Sequence, residues 1–208
     1  MIITALRFGK DRLFHLYVDG ELVCKLTDET VYRNRLKENM ELSRELLEDL
    51  CAEAERQAAL RDAAKILGAS AQTGAGLLQK LKQKGHPAAE AKQAVRQMEQ
   101  KGFLNDKSYA QSYVNDALRL KKSGKTKILF ELRKKGVSEE IIQEALEDTE
   151  EDQRKNLRAL VQKGLAAMPA ADRRQVDKLK RRLYAKGYGI HEIQSALAEA
   201  DIPTDEDL

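Results

Sequence analysis

Apolar and polar residues alternate over residues 2 to 26 with the two-residue period of β-strands. Phe14, Leu16 and Val18 fall on one face of this pattern. Asp19-Gly20, between two such runs, is typical of a type I′ hairpin turn, in which both central residues need a positive φ. The pattern predicts three short antiparallel strands, a small β-meander, at the start of the chain.

After the strands the apolar residues recur with the period of an amphipathic helix. Thr27 or Asp28 is expected to cap a short helix that Asn39 breaks, because Asn tolerates the left-handed conformation. Ser43 is expected to cap a longer helix that continues to about Leu67. The strands are expected either to cover these first helices or to form a separate contact element.

Three Lys-Gly pairs stand 51 residues apart, at Lys84-Gly85, Lys135-Gly136 and Lys186-Gly187. Each pair ends a basic amphipathic stretch and precedes an apolar-periodic one. The leucines three residues before each pair also fall in register, at Leu81, Leu132 and Leu183. Self-similarity at a fixed period is typical of repeat proteins whose units bury part of their apolar surface against their neighbours.

Each copy is predicted to contain three helices, with the Lys-Gly pair separating the last two. The first two helices are expected to be separated by the glycine-rich stretch Gly68 to Gly76 in copy one, by Ser123-Gly124 in copy two and by Pro169 in copy three. The sequence therefore predicts a mainly α protein, with tandem three-helix repeats in a curved array after the β-meander. The predicted boundaries are 1–42 for the meander and short helix, then 43–102, 103–152 and 153–208 for the repeats.

Charge is segregated along the chain although the net charge is only +3. Residues 119–135 hold eight basic residues and the single acid Glu131, whereas residues 136–152 hold eight acids and no base. Residues 173–186 repeat the basic stretch, with seven bases and only Asp177. Basic helices therefore recur at the same position of the repeat, beyond what complementing a helix dipole would require.

One face of each basic helix is predicted to be exposed, cationic and in one case aromatic. If Leu132 points to the core, then Lys127, Phe130 and Lys134 lie on the opposite side of their helix. Such a face suits phosphate neutralisation with base stacking, or docking on an acidic protein groove. The alternatives are that the lysines only solubilise the surface and that Phe130 packs on an adjacent repeat. The candidate partner-binding or nucleic-acid-binding residues are Lys121, Lys122, Lys125, Lys127, Phe130, Arg133, Lys134, Arg174, Lys178, Arg181 and Arg182.

Motifs for catalysis, cofactors and metals are weak. Gly124-Lys125-Thr126 is similar to the end of a phosphate-binding loop, but Arg119 stands where that loop needs glycine, and no strand precedes it. Serine, histidine and aspartate have no triad-like spacing, and Cys24 and Cys51 have neither ligand-like nor disulfide-framework spacing. We predict a protein that is not an enzyme, with no cofactor and no metal site.

No stretch has the length and apolarity of a signal peptide or of a membrane span. The expected location is the reducing cytoplasm, with no membrane partner.

Several segments resemble the RecX family of RecA regulators. The most specific, Gly102-Phe103-Leu104-Asn105-Asp106 followed by Tyr109-Ala110 and Tyr113-Val114, resembles the family's Gly-Tyr-Leu-Asn-Asp-x-x-Tyr-Ala-x-x-Phe-Val stretch. Residues 132–140 are similar to its Leu-x-x-Lys-Gly-Ile-Ser-Glu-Glu segment, and residues 16–21 to its entry region. The resemblance covers most of the chain and is looser between about 153 and 175. Residues 72–77 depart from it, because Gln, Thr, Gly, Ala, Gly and Leu replace the family's Arg-Ser-x-x-Glu-Leu.

The resemblance implies a curved, monomeric three-helix-repeat protein that lies in the groove of the RecA filament and touches more than one protomer. It implies restraint of ATP hydrolysis, strand exchange and co-protease activity, and hence a role in homologous recombination, DNA repair and the SOS response. Single- or double-stranded DNA is a further candidate partner, and Tyr109 and Tyr113 are expected mainly in the core. Two other interpretations remain, a sequence-tolerant DNA-binding helical-repeat protein that acts independently of RecA and a scaffold.

Overall fold

A computed structural model describes residues 1–168 and 172–200, which form three strands and ten α-helices. The strands are β1 (Ile3–Phe8), β2 (Phe14–Val18) and β3 (Glu21–Leu26). The helices are α1 (Asp28–Arg33), α2 (Arg44–Ala69), α3 (Gly74–Gln83), α4 (Ala88–Gln100), α5 (Asp106–Asp116), α6 (Lys125–Lys134), α7 (Glu139–Leu146), α8 (Glu150–Ala166), α9 (Arg173–Ala185) and α10 (Ile190–Ala198). The mainly α class with an N-terminal β-meander is confirmed.

The three strands form one antiparallel sheet in the order β1-β2-β3. The predicted hairpin turn is present, with φ of +49° at Asp19 and +92° at Gly20. The buried face of the sheet packs against the first half of α2, and this settles where the strands lie. The cluster consists of Ile3, Leu16, Val18, Leu26, Leu36, Leu42, Leu50 and Ala54.

Side-chain caps start the first two helices as predicted. Thr27 Oγ1 accepts a hydrogen bond from the backbone N–H of Thr30 at 3.2 Å, and Ser43 Oγ accepts one from Leu46 at 3.1 Å. Such caps are worth about 1 kcal/mol each. The predicted role of Asn39 was wrong, because α1 already ends at Arg33. Asn39 does adopt a left-handed conformation, with φ of +63°, but in the loop beyond the helix.

The chain folds into two compact units. One contains Met1–Ser70 and Leu77–Phe103, and in it α2 packs against α4. The other contains Ala71–Gly76 and Leu104–Leu208. In this second unit α5 packs against α7, and α8 packs against α9 and α10. The three-helix plan of the repeats is therefore present, and the precise repeat boundaries stay a prediction.

The glycine-rich break in copy one is shorter than predicted, because Gly74 and Gly76 lie inside α3. Buried Thr73 supplies the helix start, since its Oγ1 accepts from the N–H of Gly76 at 3.0 Å and donates to the carbonyl of Lys135 at 2.6 Å. Asp106 Oδ1 accepts from the N–H of Gly74 at 2.8 Å. These bonds hold the first turn of α3, although this chain lacks the arginine and glutamate that the family it resembles has in this segment.

Two apolar cores lie in the second unit, one for each repeat. The first comprises Ala110, Val114, Ala117, Leu118, Ile128, Leu132, Val137, Ile142, Ala145 and Leu146. The second comprises Leu157, Val161, Val176, Leu179, Leu183, Tyr188, Ile193, Ala196 and Leu197. Gly136 and Gly187 separate the last two helices of each repeat, with φ of +76° and +91°. Pro169, the predicted separator in copy three, lies outside the described residues.

The first helix of copy two was predicted to continue to the break at Ser123-Gly124, but α5 ends at Asp116 and a π-helical turn spans Ala117–Lys121. Lys122 then adopts φ of +47°. The wider turn leaves the carbonyl of Leu118 to accept a hydrogen bond from Asn156 Nδ2 at 3.0 Å. The irregularity thus joins the end of the first helix of repeat two to α8.

Candidate partner interface

The exposed side of α6 carries the predicted combination of lysines and an aromatic ring. Ile128 and Leu132 are buried in the core, which places Lys127 and Lys134 on the solvent side. Phe130 lies between these two lysines and is 63% exposed. The prediction of an exposed Phe130 is confirmed, and the alternative that it packs on a neighbouring repeat is wrong for this structure.

The exposed side of α9 repeats this arrangement with more positive charge. Val176, Leu179 and Leu183 face the core, so that Arg174, Lys178 and Arg181 line the opposite side and are exposed. Lys178 stands 51 residues after Lys127, and Arg181 stands 51 residues after Phe130. The two helices therefore present a basic side chain at the same repeat position. We call these surfaces the α6 outer face (Lys127, Phe130, Lys134) and the α9 outer face (Arg174, Lys178, Arg181).

The start of α6 is joined to the end of α9 by backbone hydrogen bonds. The N–H of Gly124 donates to the carbonyl of Lys186 at 2.9 Å, and the N–H of Thr126 donates to that of Gly187 at 3.2 Å. A Cβ atom at Gly124 would lie only 2.3 Å from the Gly187 carbonyl oxygen, so glycine is needed for this approach. The spacing between the two outer faces is consequently fixed within one unit.

The same bonds explain why Gly124-Lys125-Thr126 is not a phosphate-binding loop. Such a loop needs free backbone N–H groups at the helix start. Here the amides of Gly124 and Thr126 are used by the Lys186-Gly187 turn, and that of Lys125 donates to Gln153 Oε1 at 2.9 Å. The helix start is a contact between repeats.

Several predicted residues are engaged within the chain instead of lying free on an outer face. Lys121 Nζ lies 5.2 Å from the ring centre of half-buried Tyr113. Lys122 is half-buried, and its carbonyl accepts a hydrogen bond from Tyr188 Oη at 3.1 Å. The side chain of Lys125 borders a depression with acidic Glu150.

Arg133 is also engaged, because its guanidinium makes a two-pronged pair with Glu139. The Nε and Nη2 atoms lie 2.8 and 2.9 Å from the carboxylate oxygens. Hydrogen bonds from Arg133 and then Gln143 lower the pKa of Glu139 to about 2. Binding of a partner carboxylate by Arg133 would require this pair to open.

The π-helical turn and α9 add two exposed residues that sequence reasoning missed. Tyr184 is 63% exposed beside the α9 outer face, one turn after Arg181. It could have been found, because Tyr184 stands 51 residues after Arg133, on the exposed side of α6. Leu120 is 75% exposed on the π-helical turn, and no sequence pattern signals that turn. Tyr109 and Tyr113, predicted mainly in the core, are half-buried at its edge.

The described part of the chain contains neither a helix that could span a membrane nor a cluster of side chains that could bind a metal ion. Among residues 1–168 and 172–200, no helix is long and apolar enough to cross a bilayer. No group of three or more histidine, cysteine, aspartate or glutamate side chains in those ranges could hold a metal ion.

Comparison with known proteins gives one consistent family. The family model described as "RecX, second three-helix domain" matches residues 105–146. A curated relative from Pelodictyon phaeoclathratiforme, named regulatory protein RecX, is 35% identical over 152 residues, covering 72% of this chain and 92% of that protein. A protein of the same name from Caldanaerobacter subterraneus is 28% identical over 200 residues, covering 95% and 98%. A crystal structure of regulatory protein RecX has the same fold, with a TM-score of 0.71 at 21% identity over 96% of this chain and 98% of that one.

Proposed function

The chain belongs to the RecX family of regulatory proteins, and from this premise we propose that it binds the RecA–DNA filament and inhibits it. The inhibitor acts in the filament groove, where it restrains ATP hydrolysis, strand exchange and co-protease activity. It works in the cytoplasm, as a binding protein and not as an enzyme. Its partner is the filament and its role is the control of recombination and DNA repair.

The observation that supports this proposal is the recurrence of an exposed basic surface on α6 and α9 at a fixed spacing. Lys127 and Lys178 stand at the same repeat position on helices that the Gly124–Lys186 hydrogen bond joins. A filament presents identical surfaces at regular intervals. Two equivalent basic surfaces on one unit can therefore contact two equivalent sites, and the second contact forms at a high effective concentration.

Charge would steer the chain to the filament and set the salt dependence of binding. Within the described residues Lys127, Lys134, Lys178 and Arg181 make no ion pair, so these charges are available to a partner. Phe130 adds an apolar contact between two lysines. Exposed aromatic residues with basic neighbours are frequent energetic centres of interfaces.

The test is the RecA ATPase on single-stranded DNA, measured over a titration of this protein at about 50 mM and about 200 mM salt. We expect inhibition when the protein is present in amounts well below those of RecA, with a higher concentration needed at the higher salt. Absence of any inhibition at either salt would contradict the proposal.

A second candidate is sequence-tolerant DNA binding that is independent of RecA. Exposed Phe130 between Lys127 and Lys134 favours it, because single-stranded DNA is held by base stacking and phosphate contacts. The discriminating measurement is the anisotropy of a labelled oligothymidylate without RecA. Tight DNA binding together with an ATPase effect that appears only when the DNA is saturated would support this candidate in place of the filament inhibitor.

A further inference from the structure

A second surface with a different chemistry lies in the last repeat, between the C-terminal half of α8 and α9. The two helices border a cavity of about 440 Å³. Its floor is aliphatic and is formed mainly by Leu160, Met168, Leu179 and Leu183. We call it the α8–α9 groove. Its volume is within the range, about 300–1,000 Å³, that accommodates a ligand with several apolar groups.

All the charged residues that line the groove are basic. Lys163, Lys178, Arg182 and Lys186 line it, and none of its lining residues is acidic. Lys186 is held in place, because its Nζ donates to the carbonyl of Lys121 at 2.9 Å. In the part of the chain that the structure describes, Lys163, Lys178 and Arg182 make no ion pair. Four cations around an apolar floor favour an occupant that is both anionic and apolar.

The groove is preformed because α8 and α9 are in tight contact beneath it. A Cβ atom at Gly164 would lie 2.6 Å from Leu179 Cδ1, so the helices are as close as a glycine allows. Leu179 and Leu183 are anchored in the repeat core. Rearrangement of the site would therefore cost little of the binding free energy.

We propose that the α8–α9 groove binds an acidic amphipathic peptide segment of a partner protein, with apolar side chains on the floor and carboxylates on the rim. A nucleic acid fits less well, because no aromatic side chain lines the groove for base stacking. Met168 gives the floor an adaptable surface, as in other peptide-binding grooves. The site is distinct from the α6 outer face and shares only Lys178 with the α9 outer face.

The probe is a fluorescein-labelled synthetic peptide of about 15 residues, a length at which a helix begins to form, with leucines at helical spacing and glutamates elsewhere. Anisotropy is measured with the full chain and no RecA, so that the result is independent of the proposed function. We expect binding that weakens with salt and is lost when serines replace the leucines. No binding of the leucine peptide, or equal binding of the serine peptide, would overturn the proposal.

Two pairs of variants locate the site. Ala167→Trp fills the groove, whereas Ala166→Trp adds the same ring to the neighbouring exposed position, which does not line it. Lys163→Glu with Arg182→Glu reverses the rim, and Lys92→Glu with Lys155→Glu changes the net charge equally elsewhere. We expect the groove variants to weaken binding at least about tenfold and the controls to stay within about twofold. Equal affinities in each pair would overturn the assignment.

The same assay distinguishes the acidic peptide from two other occupants of the groove. Residues 201–208 carry four acids, at Asp201, Asp205, Glu206 and Asp207. If the full chain fails to bind the peptide and a chain ending at Ala200 binds it, the occupant is this segment and not a partner. If the groove variants instead weaken oligothymidylate binding and leave peptide binding unchanged, the groove serves nucleic acid and the proposal fails.

Discussion

The turns Lys84-Gly85 and Lys186-Gly187 occupy the same repeat position but have different surroundings. Both glycines end a helix in the left-handed conformation, with φ of +94° and +91°. A Cβ atom at Gly85 would meet nothing within 4 Å, whereas one at Gly187 would lie 2.4 Å from the backbone nitrogen of Lys127. The repeated sequence therefore specifies a local helix end, and of these two turns only the one at Gly187 also packs against the start of another helix, α6.

The largest effect on stability is expected for Gly187→Ala, with Gly85→Ala as its matched comparison. A left-handed alanine costs about 1 kcal/mol, which is all that Gly85→Ala should lose. Gly187→Ala should lose about 3 kcal/mol, because the new Cβ also overlaps the start of α6. Urea unfolding followed by circular dichroism measures both. Equal losses would mean that the contact between repeats contributes nothing to stability.

The next comparison is between two exposed residues at the same repeat position, Phe130 on α6 and its counterpart on α3. Gln79 on α3 stands 51 residues before Phe130 and is likewise exposed. Phe130→Ala should lower the affinity for RecA filaments about tenfold, the usual loss of an interface aromatic, and leave unfolding unchanged. Gln79→Ala is the matched control and should change neither quantity. A large effect of Gln79→Ala with none of Phe130→Ala would move the interface to the first repeat.

The residue after the Lys-Gly pair has different surroundings in the first copy than in the second and third. Val137 and Tyr188 are buried in apolar cores, but His86 lies between two carboxylates of α2. Its Nδ1 is 2.6 Å from Glu55 and its Nε2 is 3.1 Å from Asp62. Burial alone would lower the pKa of His86, but the hydrogen bonds with Glu55 and Asp62 outweigh burial and raise it.

Because the folded pKa of His86 is raised, its contribution is complete below the ordinary pKa of histidine and is lost as pH rises through the folded value. Replacing it by the residue of the second copy, His86→Val, should remove this dependence. We expect the difference in unfolding free energy between wild type and variant to be larger at about pH 5.5 than at about pH 9. A stability difference that grows toward alkaline pH would contradict the pairing of protonated His86 with Glu55 and Asp62.

The smallest effect is expected at Arg133, whose pair with Glu139 is exposed. Arg133→Gln should leave thermal unfolding unchanged, because exposed ion pairs contribute little. The pKa of Glu139 should rise from about 2 toward that of a free glutamate, because its main hydrogen-bond donor is lost. A carboxyl titration by NMR measures this. An unchanged Glu139 titration would show that the pair is not formed in solution.

The features that were predicted from the sequence are those set by local patterns. Asp19-Gly20, Ser43 and the Lys-Gly pairs each specify a turn, a cap or a helix end within a few residues. The exposure of Phe130 followed from the helical period and the burial of Leu132.

What the sequence did not reveal depends on contacts between distant residues. The start of α3 is held by Thr73 and Asp106, although glycines at 74 and 76 suggested a break. Amphipathic periodicity marks which residues are exposed, but not that Arg133 would reach Glu139 across a turn. The α8–α9 groove likewise exists only where two helices meet.

The proposed contact with RecA consists of the α6 and α9 outer faces. The direct measurement is the affinity of the labelled chain for RecA assembled on single-stranded DNA, with Lys127, Lys134, Lys178 and Arg181 all changed to glutamate. The control changes four exposed residues elsewhere, Lys92, Arg96, Lys101 and Lys155, to glutamate. We predict a loss on the order of 100-fold for the outer-face variant, and at most about threefold for the control, at unchanged circular dichroism. Wild-type affinity in the outer-face variant would contradict the assignment of the RecA contact to these two faces.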